Sequence, residues 1–102
     1  MSKILIYAEY QVSIPFTEID WAPINVEMKK FTGLKSKTWL SGINTRSVGG
    51  FYEFDSKENA QAYIDGLLVP FASQVNGNLT VKLFDGDVVA EASKGMSSPF
   101  YS

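Results

Sequence analysis

The sequence predicts one α+β domain in which helices cover a sheet of antiparallel strands, in the chain order β-α-β-β-α-β. Its 102 residues are enough for one domain with one small core. Stretches rich in β-branched and aromatic residues alternate with stretches in which apolar residues recur every three or four positions. A hydrophobic fraction of 45% and an aromatic fraction of 14% are typical of a folded chain and not of a disordered one.

The first strand is predicted over residues 3–10, where β-branched and aromatic side chains predominate. Its apolar residues do not alternate with polar ones, which is typical of a strand that is covered on both faces. The first helix is predicted over residues 16–31, with Thr17 as its N-cap. Pro23 indicates either a kink or the first turn of the helix, and the second interpretation, in which the regular part begins near residue 21 or 22, is favoured. Gly33 should stop this helix.

The second and third strands are predicted over residues 34–43 and 48–54, and the turn-rich sequence Asn44-Thr45-Arg46-Ser47 joins them. Alternation in the third strand places Gly50, Tyr52 and Phe54 on one face. The pair Gly49-Gly50 indicates a close approach of two backbones or a β-bulge. It is not a phosphate-binding loop, because it lies within a strand and lacks the lysine that would follow in such a loop.

The second helix is predicted to begin at Asp55 or Ser56, with Asp55 in the cap role and Glu58, three residues later, in the position of a reciprocal cap. The apolar residues that follow have the helical repeat, and they are Ala60, Tyr63, Ile64, Leu67, Leu68 and Phe71. Pro70 predicts a kink or an end near Val69, since a proline disfavours helical backbone in the residue before it.

The fourth strand is predicted over residues 79–84, after a turn at residues 76–78. Residues 88–102 are expected to be a C-terminal tail, in which Val88-Val89 can form a short strand. This order of elements is that of a ferredoxin-like fold, with a four-stranded antiparallel sheet and both helices on one face. The other face then needs a cover, and a second copy of the chain would supply it.

The composition excludes several classes of function. The net charge of −2 comes from scattered charges that leave no basic cluster for nucleic acid, so that partner is not expected. The chain has no cysteine and no histidine, which excludes thiol catalysis, histidine-based triads and most zinc sites, and no metal site is predicted. No apolar run is long enough to span a membrane, and we expect a cytoplasmic protein without a membrane partner.

Five short segments carry a resemblance to a known family. They are Gly33-Leu34, Lys37-Thr38-Trp39, Gly49-Gly50-Phe51-Tyr52-Glu53-Phe54, Ser56-Lys57-Glu58-Asn59-Ala60-Gln61-Ala62-Tyr63 and Val81-Lys82-Leu83-Phe84-Asp85. Across residues 33–85 the chain resembles the YdhR-type mono-oxygenases, a branch of the dimeric α/β barrel superfamily. The first helix matches this family in position only.

The resemblance implies a homodimer in which two sheets face each other and enclose a barrel. It also implies one cleft per subunit, between the sheet and its helices. The wider superfamily includes mono-oxygenases that oxidise aromatic polyketides without metal or flavin, haem-degrading enzymes, and small binding or stress-response proteins. Haem-degrading relatives use a histidine ligand, which this chain lacks. The mono-oxygenase name of the branch is itself an inference from the fold, and a fold does not determine a function.

The first functional hypothesis is a cofactor-independent mono-oxygenase that holds a small aromatic substrate in an apolar cleft. Its candidate catalytic residues are Trp39, Tyr52, Asn44 and Arg46, and its candidate ligand-binding residues are Tyr7, Trp21, Met28 and Tyr63. The aromatic side chains would orient the substrate, while Asn44 or Arg46 would stabilise a developing oxyanion or peroxide. No cofactor is expected in this hypothesis.

Each of these residues also has a structural interpretation. Trp39 suits a core or a dimer interface, and tyrosines such as Tyr7 and Tyr52 are often buried with a backbone partner. Asn44 and Arg46 lie in a predicted turn, where asparagine is favoured for its backbone conformation. The second functional hypothesis is therefore a non-catalytic module that binds a small apolar ligand or serves in a stress response.

Overall fold

The computed structural model describes residues 2–12, 15–74 and 78–101. Within these ranges the strands are β1 (Ile4–Gln11), β2 (Leu34–Ser41), β3 (Ser47–Phe54) and β4 (Leu79–Asp85). The α-helices are α1 (Trp21–Lys29), α2 (Lys57–Tyr63), α3 (Val69–Gln74) and α4 (Ala90–Gly95). Short 3-10 helices cover Phe16–Glu18 and Pro99–Tyr101, and a π-helical segment, Ile64–Leu68, joins α2 to α3.

The strands form one sheet in the order β2-β3-β1-β4, and each neighbouring pair is antiparallel. β1 and β3 are central, and helical connections join β1 to β2 and β3 to β4. This is the ferredoxin-like α+β arrangement, and it confirms the fold that the sequence predicts. The turn predicted at residues 76–78 lies for the most part outside the described residues.

One hydrophobic core lies between the sheet and the helices. Its buried residues are Ile4, Ile6, Ala8, Tyr10, Met28, Tyr52, Phe54, Ala60, Tyr63, Ile64, Leu68 and Ala72. Tyr63 lies at its centre, with its ring centroid 5.1 Å from those of Phe31 and Tyr52. The ring centroid of Phe54 is 5.3 Å away. Each such aromatic pair adds about 1 kcal/mol to what burial alone contributes, so this cluster fixes the helices against one face of the sheet.

The start of the first helix agrees with the position of Pro23. α1 starts at Trp21, so the proline occupies the first turn, in which the backbone N–H groups have no partner within the helix. The expectation that Thr17 caps this helix is wrong. Thr17 lies in the 3-10 helix before it, and Asp20 occupies the capping position without a side-chain capping hydrogen bond. Gly33, with a φ of 85°, follows the helix and leads into β2.

Ser56 caps the second helix. Its Oγ accepts a hydrogen bond from the backbone N–H of Asn59 at 3.1 Å, as expected of a serine in this position. The predicted cap role of Asp55, with Glu58 as its reciprocal partner, is therefore wrong. Instead, Asp55 Oδ1 accepts a hydrogen bond from the side-chain amide of Asn59 at 2.8 Å. The capped turn at Asp55-Ser56 is therefore confirmed, with Asn59 as its third member.

The helical stretch that begins with α2 continues past Val69 and does not end there. A π-helical segment comes first, in which the Val69 N–H donates to the Ile64 carbonyl, and α3 then continues to Gln74. Pro70 has no N–H with which to bond the carbonyl of Gly66. The wider π turn gives this stretch another hydrogen-bond pattern, so the chain passes the proline and remains helical.

The C-terminal tail is folded against the sheet. Val88-Val89 lies in a turn, so the short strand considered there is wrong, and α4 follows it. The Lys3 ammonium donates a hydrogen bond to the Phe100 carbonyl at 2.6 Å. The Phe100 ring lies 5.0 Å from that of Phe51, between centroids. The tail therefore covers part of the sheet face that lies opposite α1, α2 and α3.

At Gly49 the strand β3 lies close against β1. A Cβ atom at this position would overlap the carbonyl oxygen of Ala8. The close backbone approach predicted from Gly49-Gly50 is therefore confirmed. The irregularity of the sheet lies elsewhere, between Leu34 and Ser36 of β2.

Gly49→Ala is expected to destabilise the protein by about 2 kcal/mol or more, because the added methyl group pushes β1 and β3 apart. Gly95→Ala is the matched control, because a Cβ atom at Gly95 meets nothing within 4 Å. Urea unfolding followed by circular dichroism measures the free energy of unfolding of both variants. Equal unfolding midpoints for the two variants would contradict the close approach at Gly49.

Candidate functional site

A cavity of about 390 Å³ lies between the sheet and the helices, and we call it the central cavity. Most of its lining residues are apolar. They are Tyr10, Val12, Glu18, Ile19, Asp20, Ile24, Met28, Lys37, Trp39, Val48, Leu67 and Phe71. Its volume is in the range of pockets that bind small organic molecules.

An extra residue in β2 decides which side chains reach the central cavity. Leu34 pairs with Phe54 of β3, but the preceding residue of β3 pairs with Ser36. Lys35 is thus the extra residue of a β-bulge. Such a bulge changes which side chains of the strand point to each face of the sheet, because the alternation is shifted by one position.

The bulge turns Lys37 and Trp39 toward the helices. Lys37 pairs with Tyr52, and Trp39 pairs with Gly50, so all four residues lie on the face of the sheet that the helices cover. Strict alternation from Leu34 would instead place residues 36, 38 and 40 there. The central cavity therefore receives a lysine and a tryptophan from the edge strand.

Trp39 forms one wall of the central cavity and is held from two sides. Its indole Nε1 donates a hydrogen bond to Asn25 Oδ1, on α1, at 3.0 Å. The ring of Phe16, from the 3-10 helix before α1, lies 5.3 Å away between centroids. Because these contacts fix the indole, the cavity has a preformed aromatic wall.

The Lys37 amine lies over the face of the Trp39 ring. Its Nζ atom is 3.3 Å from the Trp39 ring centroid and 4.9 Å from the Tyr52 ring centroid. It also lies 3.4 Å from the Sδ atom of Met28. Burial among these groups lowers the pKa of Lys37 from 10.5 to about 7, because the charged form loses its hydration.

Gly50 provides the space that the Lys37 side chain occupies. A Cβ atom at Gly50 would lie 2.5 Å from Lys37 Cε. Lys37 was not among the predicted site residues, although the alternation that puts Trp39 in the wall also puts Lys37 there. The glycine in the neighbouring strand was a second signal of a bulky side chain on this face.

Few other polar groups line the central cavity. Glu18 and Asp20 come from the segment before α1. Tyr10 comes from β1, and burial raises the pKa of its hydroxyl, so that it stays protonated near neutral pH. Its ring packs on that of Phe71, with 5.3 Å between centroids. Among the lining residues that the structure describes, Lys37 is the one basic group.

Of the residues predicted for the site, Trp39 and Met28 line the central cavity. Tyr52 is 1% exposed and lies against Lys37, so it supports the wall without lining the cavity. Trp21 is 48% exposed and is not one of the lining residues. Tyr63 is fully buried in the core. A ligand-binding role for Trp21 or Tyr63 stays a prediction.

The structure does not bring the other predicted site residues into the cavity. Tyr7 lies on the opposite face of the sheet, where its hydroxyl donates a hydrogen bond to Glu9 Oε1 at 2.5 Å. This hydrogen bond raises the pKa of Tyr7 and lowers that of Glu9.

Asn44 and Arg46 lie between β2 and β3, where Asn44 has a left-handed φ of 59°. This backbone conformation is the one that favours asparagine in a turn, while a catalytic role for Asn44 or Arg46 stays a prediction.

In residues 2–12, 15–74 and 78–101, no group of three or more acidic, histidine or cysteine side chains lies together as a metal ion would require. Across the same part of the chain, no helix combines the length and the apolar character needed to cross a membrane.

The strand order defines a ferredoxin-like domain, and the central cavity is lined by side chains from its sheet and its helical segments. The family model described as "Putative mono-oxygenase ydhR" matches residues 7–97 of this chain. That stretch contains every residue that lines the central cavity. The chain therefore belongs to the ydhR mono-oxygenase family. No curated protein sequence matches it significantly.

Several solved structures share the fold at low sequence identity. A monooxygenase from the gene ActVA-Orf6 of Streptomyces coelicolor, in complex with nanaomycin D, is 11% identical over 82% of this chain and 87% of its own, with a TM-score of 0.62. A variant of SnoaB, a cofactor-independent oxygenase from Streptomyces nogalater, is 14% identical over 82% and 92%, with a TM-score of 0.62. A dimeric ferredoxin-like protein from an uncultured marine organism is 18% identical over 83% and 95%, with a TM-score of 0.56. At these identities the likeness shows the fold alone.

The half-buried amine of Lys37 should make the stability of the protein depend on pH. The pKa of Lys37 is about 7 in the folded protein, against an ordinary value of 10.5, so the unfolded chain binds the additional proton between these pH values. The free energy of unfolding therefore rises with pH in this window, because the unfolded chain still binds a proton that the folded state has already released. Below pH 7 the full cost of burying the ammonium group is present.

Lys37→Met is expected to remove this rise and to stabilise the protein most below pH 7, since an apolar side chain of similar length replaces the buried charge. Lys35→Met is the matched control, because Lys35 is an exposed residue of the same strand. Urea unfolding at several pH values on both sides of pH 7 measures the effect. A rise of equal size in Lys37→Met and the wild type would contradict the lowered pKa.

Proposed function

We propose that this protein is a mono-oxygenase of the cofactor-independent kind that acts on a small aromatic substrate in the central cavity. The family to which the chain belongs supports the class of reaction. The fixed indole of Trp39 and the ring of Phe71, both in the cavity lining, support the class of substrate. The observation that carries the proposal is this mostly apolar cavity of about 390 Å³, which suits a compound of a few fused rings.

The proposed reaction converts a ring CH₂ group of an electron-rich compound such as an anthrone into a carbonyl group. The substrate loses a proton, and the resulting anion gives electrons to O₂ and forms a peroxide at that carbon. The O–O bond then breaks as the second proton of the CH₂ group leaves. One oxygen atom stays as the carbonyl and the other leaves as water, so the substrate itself is the reductant. The protein has to promote the first proton loss and to stabilise the anion.

Side chains of the central cavity orient the substrate and exclude water in this proposal. Trp39 holds the plane of the ring system, and Met28 and Phe71 close the cavity around it. Tyr10, whose hydroxyl stays protonated, donates a hydrogen bond to the oxyanion. The roles predicted for the turn residues 44 and 46 have no place in this proposal, because neither residue lines the cavity.

The two tryptophans of the chain provide a matched test. Trp39→Leu is expected to weaken the binding of anthrone by at least about tenfold, because it removes the aromatic wall. Trp21→Leu is the control and should bind as the wild type does, since Trp21 is 48% exposed and lies outside the cavity lining. Binding is measured by calorimetry without oxygen. Quinone formation is then measured with oxygen, after removal of metal ions, and should fall in Trp39→Leu alone.

These measurements also separate the enzyme from the alternative, a non-catalytic module that binds a small apolar ligand. The small number of polar groups in the cavity is the observation that favours this alternative. Binding that depends on Trp39, with no oxygen consumption across a panel of hydroquinones and anthrones, would support the binding module. Turnover that is unchanged in Trp39→Leu would contradict the assignment of the site.

We also propose that the protein forms a homodimer through the sheet face opposite α1, α2 and α3, which we call the open face. Tyr7, Glu9, Leu40, Phe51 and Phe84 lie on it. Leu40 is 37% exposed and Phe84 is 47% exposed there, and the C-terminal tail covers only part of the face. A second copy would bury these apolar side chains. The dimeric ferredoxin-like protein of the same fold supports this arrangement.

Phe84→Lys is expected to convert the dimer into a monomer, because it places a charge in an apolar interface. Val26→Lys is the matched control, since Val26 is 58% exposed on α1, at the other side of the sheet. Sedimentation velocity measures the mass of both variants and of the wild type. A monomeric wild type at micromolar concentration would contradict the proposed dimer.

A further inference from the structure

Lys37 is a basic group in a largely apolar wall. Its neighbours are the faces of Trp39 and Tyr52 and the sulfur of Met28. Among the residues that the structure describes, no carboxylate forms an ion pair with it. The protein therefore leaves the charge of this amine without a counter-ion, and a ligand in the central cavity can supply one.

The surroundings of Lys37 disfavour the charged form of its amine but also provide one favourable contact to that form. Burial lowers the pKa of Lys37 to about 7, while the Trp39 face attracts the ammonium form. The other ionisable groups near it are Tyr52, Tyr10, Glu18 and Asp20 around the cavity, and Lys29 and Lys35 in the adjoining groove. Burial raises the pKa of Tyr52 and Tyr10, so both stay protonated and neither accepts a proton from a ligand.

We propose that Lys37 is the proton acceptor of the central cavity and that its ligand is an acidic phenol or enol. The neutral amine takes the proton of the ligand hydroxyl. The O–H bond breaks, an N–H bond forms, and the electron pair stays on oxygen as a phenolate or enolate. This inference rests on the proposed function for the aromatic class of ligand. It deepens that function, because the phenolate or enolate is the electron-rich form that can reduce O₂.

The geometry around Lys37 favours the ion pair that results. Its apolar neighbours displace part of the water around it, and the attraction between ammonium and oxyanion is stronger in such surroundings than in water. The protonated amine keeps the Trp39 face as a second partner, 3.3 Å from the ring centroid. The space left by Gly50 lets the stem of the side chain pack in the wall. Neutral ligands without an acidic group gain no ion pair from this arrangement.

The test follows the binding of 4-nitrophenol to the full chain, because its phenolate is yellow and its phenol is colourless. At a pH about one unit above the pKa values of the probe and of Lys37, the free probe is a phenolate and the free amine is neutral. The wild-type protein is expected to bind the yellow form and to take up one proton per ligand from the buffer. Calorimetry in buffers of different ionisation enthalpy counts that proton.

Two variants at the same position distinguish a proton acceptor from a permanent charge. Lys37→Arg is expected to bind the yellow phenolate without proton uptake, because a guanidinium group is always protonated. Lys37→Met is expected to bind at least about tenfold more weakly, and in the colourless form, because the cavity then has no cation for the oxyanion. Lys57→Met is the matched control and should behave as the wild type does, because Lys57 is exposed on α2 and lies outside the cavity lining.

Binding of phenolate by the wild type without proton uptake would overturn this inference, and so would unchanged phenolate binding by Lys37→Met. The anthrone measurement with Trp39→Leu is independent of both results. If Trp39 is needed for anthrone binding but Lys37 has no effect on the probe, the inference about Lys37 fails and the proposed function stands. If Trp39 is not needed for anthrone binding, the aromatic site itself fails.

Discussion

The β-bulge at Lys35 is the constraint on which the site depends. One additional residue in an edge strand changes the face on which the following side chains lie, because alternation along a strand has a period of two. Lys37 and Trp39 thereby join the helix-covered face, opposite Tyr52 and Gly50. The aromatic wall and the buried amine both follow from that shift. Gly50 completes the arrangement, because its missing side chain leaves room for a lysine where a larger residue would collide with it.

The two faces of the sheet carry different features of the molecule. The helix-covered face carries the core and the central cavity. The open face carries the proposed dimer contact and the Tyr7–Glu9 hydrogen bond. A substitution on the open face can therefore change assembly without touching the cavity lining. The same separation explains why the predicted role of Tyr7 in the cleft has no support in the structure, since its strand neighbours on the cavity side are Ala8 and Ile6, which lie in the core.

The order of elements could be predicted because each element carries a strong local signal. Pro23 marks the first turn of α1, and Ser56 caps α2 as its position before the helical repeat indicates. The bulge could not be predicted in this way. The sequence of β2 is compatible with either register, and only its pairing with β3 determines which of its side chains face the helices. Lys37 was missed although it lies two residues before Trp39 on the same face, because the contacts that alter its chemistry come from α1 and β3 and not from its own strand.

The π-helical segment before Pro70 is a second feature that local sequence signals do not predict. Proline predicts an interruption, but the wider π turn accommodates it, so the chain stays helical and Leu67 and Phe71 both line the cavity.

The half-buried amine of Lys37 also has a consequence for chemical labelling. An ordinary lysine is uncharged in roughly one molecule in a few thousand at neutral pH, and only that fraction is nucleophilic. Because the pKa of Lys37 is lowered to about 7, a larger share of this amine is uncharged at neutral pH than of an ordinary lysine. A small apolar acylating reagent in the cavity would therefore react with Lys37 in preference to the exposed lysines.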